Sequence, residues 1–106
     1  MSDFALRPEM TPTVTRMVSR IYMQESKPIR FFSIANFYRN ERPQRGRNRE
    51  FRQLNIDLFG SQSSYADLEV LQVGMEIMLA FTPPKNSRIM YLNSRQIIDY
   101  IIDEEV

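Results

Sequence analysis

Residues 37–57 read Phe37-Tyr38-Arg39-Asn40-Glu41-Arg42-Pro43-Gln44-Arg45-Gly46-Arg47-Asn48-Arg49-Glu50-Phe51-Arg52-Gln53-Leu54-Asn55-Ile56-Asp57. An aromatic-rich run leads into this stretch and an alternating run leads out of it. The pattern predicts two strands, 29–39 and 50–59, joined as an antiparallel hairpin. In the second strand Arg52, Leu54, Ile56 and Leu58 share one face, and Phe51, Gln53, Asn55, Asp57 and Phe59 share the other. The apolar set predicts a face packed on helices. The amide and carboxylate set predicts an open polar face, because such groups buried without partners cost about 1–3 kcal/mol each. Between the strands lie Arg39, Arg42, Arg45, Arg47 and Arg49, with Arg52 just beyond and Glu41 and Glu50 among them. Guanidinium carries a permanent charge and a planar fork that matches phosphate oxygens two at a time. The stretch points to a nucleotide-phosphate site beside a polar pocket for a small molecule. A solvated charged hairpin, a nonspecific RNA-binding patch or an exposed polar sheet face fits the same residues on composition alone.

Working outward, Phe4-Ala5-Leu6 reads as the end of a strand. Thr11-Pro12 then supplies a capping hydroxyl and a proline for the first helical turn. Val14, Met17, Val18, Ile21 and Tyr22 follow at helical spacing, predicting a helix over 11–24 that Ser26-Lys27-Pro28 ends. Downstream, Gly60 opens a turn, and Ser64 with Asp67 resembles a capping box. Leu68, Leu71, Met75, Met78 and Leu79 carry a helix to about Phe81, where Thr82-Pro83-Pro84 stops it. Ile89–Leu92 reads as a short strand, and Ser94 as the cap of a last helix bearing Ile97, Ile98, Ile101 and Ile102. Met10, Met17, Met75 and Met78 read as packing residues. The expected class is α+β: an antiparallel hairpin with packed helices, in one domain at most over 106 residues.

The net charge is +1, so whole-chain steering toward nucleic acid is not indicated. The charge is unevenly placed: arginine clusters in the middle, and Asp99, Asp103, Glu104 and Glu105 make the end acidic. The chain has no cysteine and no histidine. Disulfides, thiolate catalysis, the usual zinc sites and histidine general-base chemistry are therefore excluded, and no protein metal site is assigned. No apolar run approaches the ~20 residues of a membrane span, which makes a cytoplasmic location the default.

Three stretches resemble the histidyl-tRNA synthetases, a class II aminoacyl-tRNA synthetase family. Leu6-Arg7-Pro8-Glu9-Met10-Thr11 resembles the family's amino-acid-binding turn before a helix. Tyr38 to Arg47, with Arg49-Glu50-Phe51 and Gln53, resembles motif 2. Asp67, Glu69 and Val70 open the next helix as in the family, and Leu92-Asn93-Ser94-Arg95 fits the segment after it. The resemblance implies ATP-dependent activation of histidine to histidyl-adenylate, then transfer to its tRNA, with ATP and Mg²⁺ as co-substrates and a homodimeric complete protein. Arg39 resembles the arginine that holds the ATP α-phosphate and the amino-acid carboxylate, and is the catalytic candidate. Glu41 and Arg47 resemble residues around the adenine and the outer phosphates. Glu9 and Thr11 resemble those binding the amino group, and Met10 between them is a histidine-binding candidate with them. Gln53 and Asp57 resemble those completing the histidine pocket.

The family's motif 1, motif 3, second histidine-recognition strand and anticodon-binding domain have no counterpart in the 106 residues. The sequence is therefore read as part of a catalytic domain, residues 1–106. Two other readings stand beside it: the paralogous histidine-binding regulatory subunit of ATP phosphoribosyltransferase, and a noncatalytic RNA-binding or interaction fragment. The regulatory subunit usually lacks a full set of ATP-binding arginines, whereas Arg39, Glu41, Arg45 and Arg47 are all present here.

Overall fold

The structure is a computed structural model that describes residues 3–105, the last by its backbone alone. Five elements follow in order: helix α1 (Thr11–Ile21), strands β1 (Ile29–Tyr38) and β2 (Glu50–Phe59), and helices α2 (Ser64–Ala80) and α3 (Arg95–Glu105). The strands form a two-stranded antiparallel sheet in which Ile29 pairs with Phe59 and Tyr38 with Glu50. The expected α+β class and hairpin are both present, with strand ends within a residue of the expected ones. The chain divides into two compact units, residues 1–74 and 75–106.

The helix boundaries differ from the sequence expectations for local reasons. Met10, not Thr11, is the N-cap of α1, and no side chain caps it. Thr11 lies inside the helix, and the Met10 carbonyl accepts from Val14 N–H at 3.0 Å. At the other end α1 stops at Ile21 rather than 24. The Ile21 carbonyl accepts from both Gln24 and Glu25 N–H, and Lys27 Nζ donates to the carbonyls of Tyr22 and Glu25. Carbonyls left over at a helix end need such partners, and the lysine supplies a positive charge there as well. In α2 the capping residue is Ser63, one position before the expected Ser64: its Oγ accepts from Tyr65 N–H at 3.2 Å. Asp67 sits in the first turn, where a carboxylate complements the helix dipole. Neither Phe4–Leu6 nor Ile89–Leu92 forms a strand. A strand persists through its ladder partners, and the ladder pairs only β1 with β2.

The largest correction concerns which face of the hairpin is covered. The expected packing was on Leu54, Ile56 and Leu58, of which Ile56 and Leu58 are half-buried and Leu54 is exposed. Instead α1 lays Val14 and Val18 on Ile29, with Met10 and Phe59 against them. Ile29 and Phe59 belong to the same face as Gln53, Asn55 and Asp57. Burying each aliphatic side chain of this cluster contributes about 1.5–3 kcal/mol, so the cluster anchors the helix at the end of the sheet away from the arginine loop. The other face leaves Phe32 72%, Ile34 60% and Leu54 40% exposed. This face is tied to α2 by the two-pronged pair between Arg30, beside Leu58, and Glu69. The hydrogen bond from Arg30 holds the Glu69 carboxyl below its ordinary range. In the second unit α3 presents Ile97, Ile98, Ile101 and Ile102 to the exterior.

Candidate functional site

Ladder register determines what stands next to what on the covered face. From the loop inward, the cross-strand pairs are Phe37–Phe51, Ala35–Gln53, Ser33–Asn55, Phe31–Asp57 and Ile29–Phe59. Aromatic rings close the loop end. Phe37 is fully buried, and its ring centroid lies 6.1 Å from that of Phe51 at 44°. Two guanidinium groups lie over this pair, Arg7 at 5.8 Å from the Phe37 centroid and Arg39 at 5.0 Å from that of Phe51. Such stacking orients the planar cation while leaving its edge available for hydrogen bonds.

The turn that precedes α1 is fastened to the same end of the sheet. Tyr38 N–H donates to the Arg7 carbonyl at 3.0 Å, Arg7 Nε to the Asn36 carbonyl at 2.8 Å, and Arg39 Nε to the Pro8 carbonyl at 3.0 Å. Arg39 therefore sits where the turn, the end of β1 and the Phe51 ring meet. With Nε committed to Pro8, its two terminal amino groups enter no ion pair among the described residues. Glu9 and Thr11 flank this junction with exposed side chains. Met10 is half-buried and packs on the Val14–Val18–Ile29 cluster, so its side chain holds the turn down.

The arginine loop carries its own internal order. Arg39 N–H donates to the Arg49 carbonyl, extending the ladder one step beyond the strands. At the tip, Gln44 and Arg47 exchange backbone hydrogen bonds of 3.1 and 2.9 Å around Arg45-Gly46. Gly46 has φ +78°, a left-handed value that glycine adopts without steric cost. Glu41 Oε2 lies 3.5 Å from Arg47 Nε, and Arg49 Nε donates to the Glu41 carbonyl at 3.2 Å. Glu41 and Arg47, both nucleotide candidates, are thus brought together as a pair. Arg42 and Arg45 are exposed and form no ion pair among the described residues. On the opposite face Glu50 Oε1 accepts from Asn36 Nδ2 and Tyr38 Oη, and Asn36 Oδ1 accepts from Arg52 Nε. This network turns Glu50 and Arg52 away from the polar strip.

The strip itself comprises Gln53, Asn55 and Asp57, all half-buried. Gln53 Nε2 donates to Asn55 Oδ1 at 2.7 Å, which fixes the Gln53 amide plane. Among the described residues, two buried side-chain oxygens have no hydrogen-bond partner in the protein: Ser33 Oγ and Asp57 Oδ2. Ser33 went unremarked in the sequence. Its signal was its place as the one hydroxyl among Ile29, Phe31, Ala35 and Phe37 on that face of β1, visible only once the register is known. Among the described residues no group of three acidic side chains could hold a metal ion. No described helix is long and apolar enough to cross a membrane.

Comparison with known proteins identifies relatives of the chain. The family model for histidyl-tRNA synthetase matches residues 2–104. A histidine–tRNA ligase of Leptospira biflexa is 47% identical over 102 residues, which is 95% of this chain and 23% of that protein. One of Halobacterium salinarum is 51% identical over 74 residues, 70% of this chain and 17% of the relative. One of Opitutus terrae is 41% identical over 95 residues, 90% and 22% respectively. The chain thus spans about a quarter or less of the length of these curated relatives. No solved structure matches it. With a match running from one end of the sequence to the other, through both the docked turn and the arginine loop, the chain belongs to the histidyl-tRNA synthetase family.

Proposed function

We propose that this chain forms part of the catalytic domain of a histidine–tRNA ligase and contributes the amino-acid activation half of its site. In that reaction the histidine carboxylate attacks the α-phosphorus of ATP. An oxygen–phosphorus bond forms, the bond to the β-phosphate oxygen breaks, and pyrophosphate leaves with its charge. Two anions must be brought together, and negative charge grows on the phosphoryl oxygens. Preorganised cations in a shielded site answer both demands. No covalent enzyme intermediate is needed, in keeping with a chain that has neither cysteine nor histidine.

The observation that carries this reading is the placement of Arg39. Its Nε is held by the Pro8 carbonyl and its guanidinium lies over the Phe51 ring, while its two terminal amino groups enter no ion pair among the described residues. A carboxylate and a phosphoryl oxygen could share those amino groups. Glu9 and Thr11, on the turn, are suited to the substrate's ammonium group. Gln53 and Asp57 are suited to the imidazole. Arg47 is suited to the outer phosphates and Glu41 to the adenine. The Glu41–Arg47 pair is exposed and worth only about 0.2–1 kcal/mol, so a polyphosphate carrying several charges can displace the carboxylate. Since the described residues do not supply a carboxylate cluster, magnesium would enter with the ATP phosphates, as is usual for this ion. The activated histidine would then pass to its tRNA. A cytoplasmic, homodimeric protein belongs to the same proposal.

Histidine-dependent exchange of pyrophosphate into ATP by the native gene product is the test. Exchange that requires histidine and is lost in Arg39→Ala is expected. Tight histidine binding without any exchange would overturn the ligase reading and favour a regulatory histidine-binding protein.

A further inference from the structure

In the docked turn, Arg7 reaches back to the sheet with both its side chain and its backbone. Its Nε donates to the Asn36 carbonyl at 2.8 Å, and its guanidinium lies 5.8 Å from the centroid of the fully buried Phe37 ring. Its own carbonyl accepts from Tyr38 N–H at 3.0 Å. One residue thus grips Asn36, Phe37 and Tyr38, which are consecutive in β1. Both partners of the guanidinium are neutral, a carbonyl and a ring, so what they use is its planar shape and its Nε–H. The next residue is Pro8, whose carbonyl accepts from Arg39 Nε at 3.0 Å. Proline holds its own φ near −65° and keeps the residue before it extended. The step from the grip to that carbonyl is therefore short and stiff.

We infer that Arg7 is a positioning residue for amino-acid activation: it acts through the Pro8 carbonyl to hold Arg39 where the reacting groups meet. The inference rests on the ligase reading above and names a residue which that reading does not use. Arg39 has a second support in the Phe51 ring, 5.0 Å from its guanidinium carbon. A ring contact limits the tilt of a planar cation but lets it slide across the face. A hydrogen bond is directional, and a bond to a carbonyl that is itself held in place stops the sliding. The distinction matters for a step that joins two anions, because a misplacement of about 1 Å can cost as much as 10²-fold in rate. Without Arg7 the turn keeps only the Tyr38 N–H bond to its backbone among these contacts, and the Pro8 carbonyl is free to pivot about it.

The test is a double-mutant cycle on the native gene product. Rapid-quench rates of histidyl-adenylate formation are measured at saturating histidine and ATP for the unaltered protein, Arg7→Ala, Arg39→Ala and the double variant. Arg7→Ala is expected to be slower by about tenfold, the scale of one hydrogen bond that fixes a reacting group. The double variant is expected to be no slower than Arg39→Ala, because with no guanidinium at position 39 nothing is left for Arg7 to place. Losses that multiply would show Arg7 acting on the substrates directly or on the fold at large, and would overturn the inference. So would an Arg7→Ala rate within twofold of the unaltered protein. Arg7→Lys serves where Arg7→Ala does not fold. It keeps the charge but lacks the planar fork, so it should also lose rate, and only where Arg39 is present; full rate in Arg7→Lys would assign the effect to charge and overturn the inference. If the unaltered protein shows no histidine-dependent exchange of pyrophosphate into ATP, the ligase reading falls and takes the inference with it. If exchange is present and the losses multiply, the ligase reading stands and the role of Arg7 falls alone.

Discussion

Removing the Arg39 side chain separates what that residue does for the fold from what it does for the chemistry. In Arg39→Ala three interactions disappear. The hydrogen bond to the Pro8 carbonyl and the stacking on Phe51 are exposed and together contribute about 1–2 kcal/mol at most. The docked turn keeps its other two fasteners, Tyr38 N–H on the Arg7 carbonyl and Arg7 Nε on the Asn36 carbonyl. The fold should therefore change little, while histidine affinity should fall modestly, because in the proposed site this guanidinium also meets the substrate carboxylate. In the proposed site the third loss is the cation where charge would develop, which should cost roughly 3–4 kcal/mol of transition-state stabilisation, or about 10²–10³ in rate. Arg39→Lys keeps the charge but loses the Nε bond and the planar stack, so it should fall between the two. Rapid-quench measurement of adenylate formation gives the rate, and equilibrium titration gives the affinities. An activation rate for Arg39→Ala within threefold of the unaltered protein would refute the assignment. So would equal losses in affinity and none in rate.

Asp57→Asn and Gln53→Ala should raise KM for histidine while leaving KM for ATP within about twofold; a matching rise for ATP would place these residues elsewhere. Gly60 has φ +85°, and an added Cβ would lie 2.9 Å from Lys27 Cδ, a side chain tethered by its own hydrogen bonds. Gly60→Ala should therefore cost more stability in urea titration than Gly46→Ala, where only the left-handed backbone, about 1–2 kcal/mol, is at stake; the reverse order would show that Lys27 moves freely aside. Glu69 is held below its ordinary pKa by Arg30, so the pair stabilises above the unfolded carboxyl range near pH 4–5, and that contribution fades as pH falls through the lowered folded value. The Tm difference between the unaltered protein and Glu69→Gln should accordingly be present at pH 7 and shrink progressively as the solution is acidified, and a difference independent of pH would remove the pair as its source. The 106 residues expressed alone should self-associate through the uncovered Phe32–Ile34–Leu54 face, with Ile34→Lys shifting sedimentation toward the monomer; a monomeric parent chain would contradict this.

The hairpin was legible because its signal is local. Alternation in 50–59 fixes both the strand and its two faces, and Gly46 between arginines marks the tip. The caps were legible only to within a residue. Met10, Ser63 and Lys27 do the work expected of Thr11, Ser64 and a longer α1, and the choice among neighbouring hydroxyls and carbonyls depends on where the next segment leads the chain. The face to be covered could not be settled by polarity. Leu54, Ile56 and Leu58 look like the core face in isolation. Yet the partner strand brings Ile29 under α1 on the other face, and Phe59 from β2 joins it there. A period of two says which residues travel together, not which set meets the helix.

That reversal also bears on the candidate site. Arg39, Glu41 and Arg47 are candidates because arginines in a loop are conspicuous by type, and Gln53 and Asp57 because polar residues break an otherwise apolar alternation. The polar face was expected to lie open; α1 at its far end, and Phe37 with Phe51 near the loop, instead leave Gln53, Asn55 and Asp57 half-buried. In the proposed site, half-burial would give these groups discriminating power. An amide or carboxylate in open water exchanges one partner for another at little net cost, whereas one held in a shielded strip loses about 1–3 kcal/mol when its ligand cannot complete it. In the proposed site, recognition of a small polar ring would therefore depend also on the packing of Val14 and Val18 at the end of the sheet, remote from the ligand. Ser33 is shut from water by the same fold. A lone serine in an aromatic strand has no reading of its own until the ladder sets it diagonal to Asp57 and the surrounding side chains shut it from water.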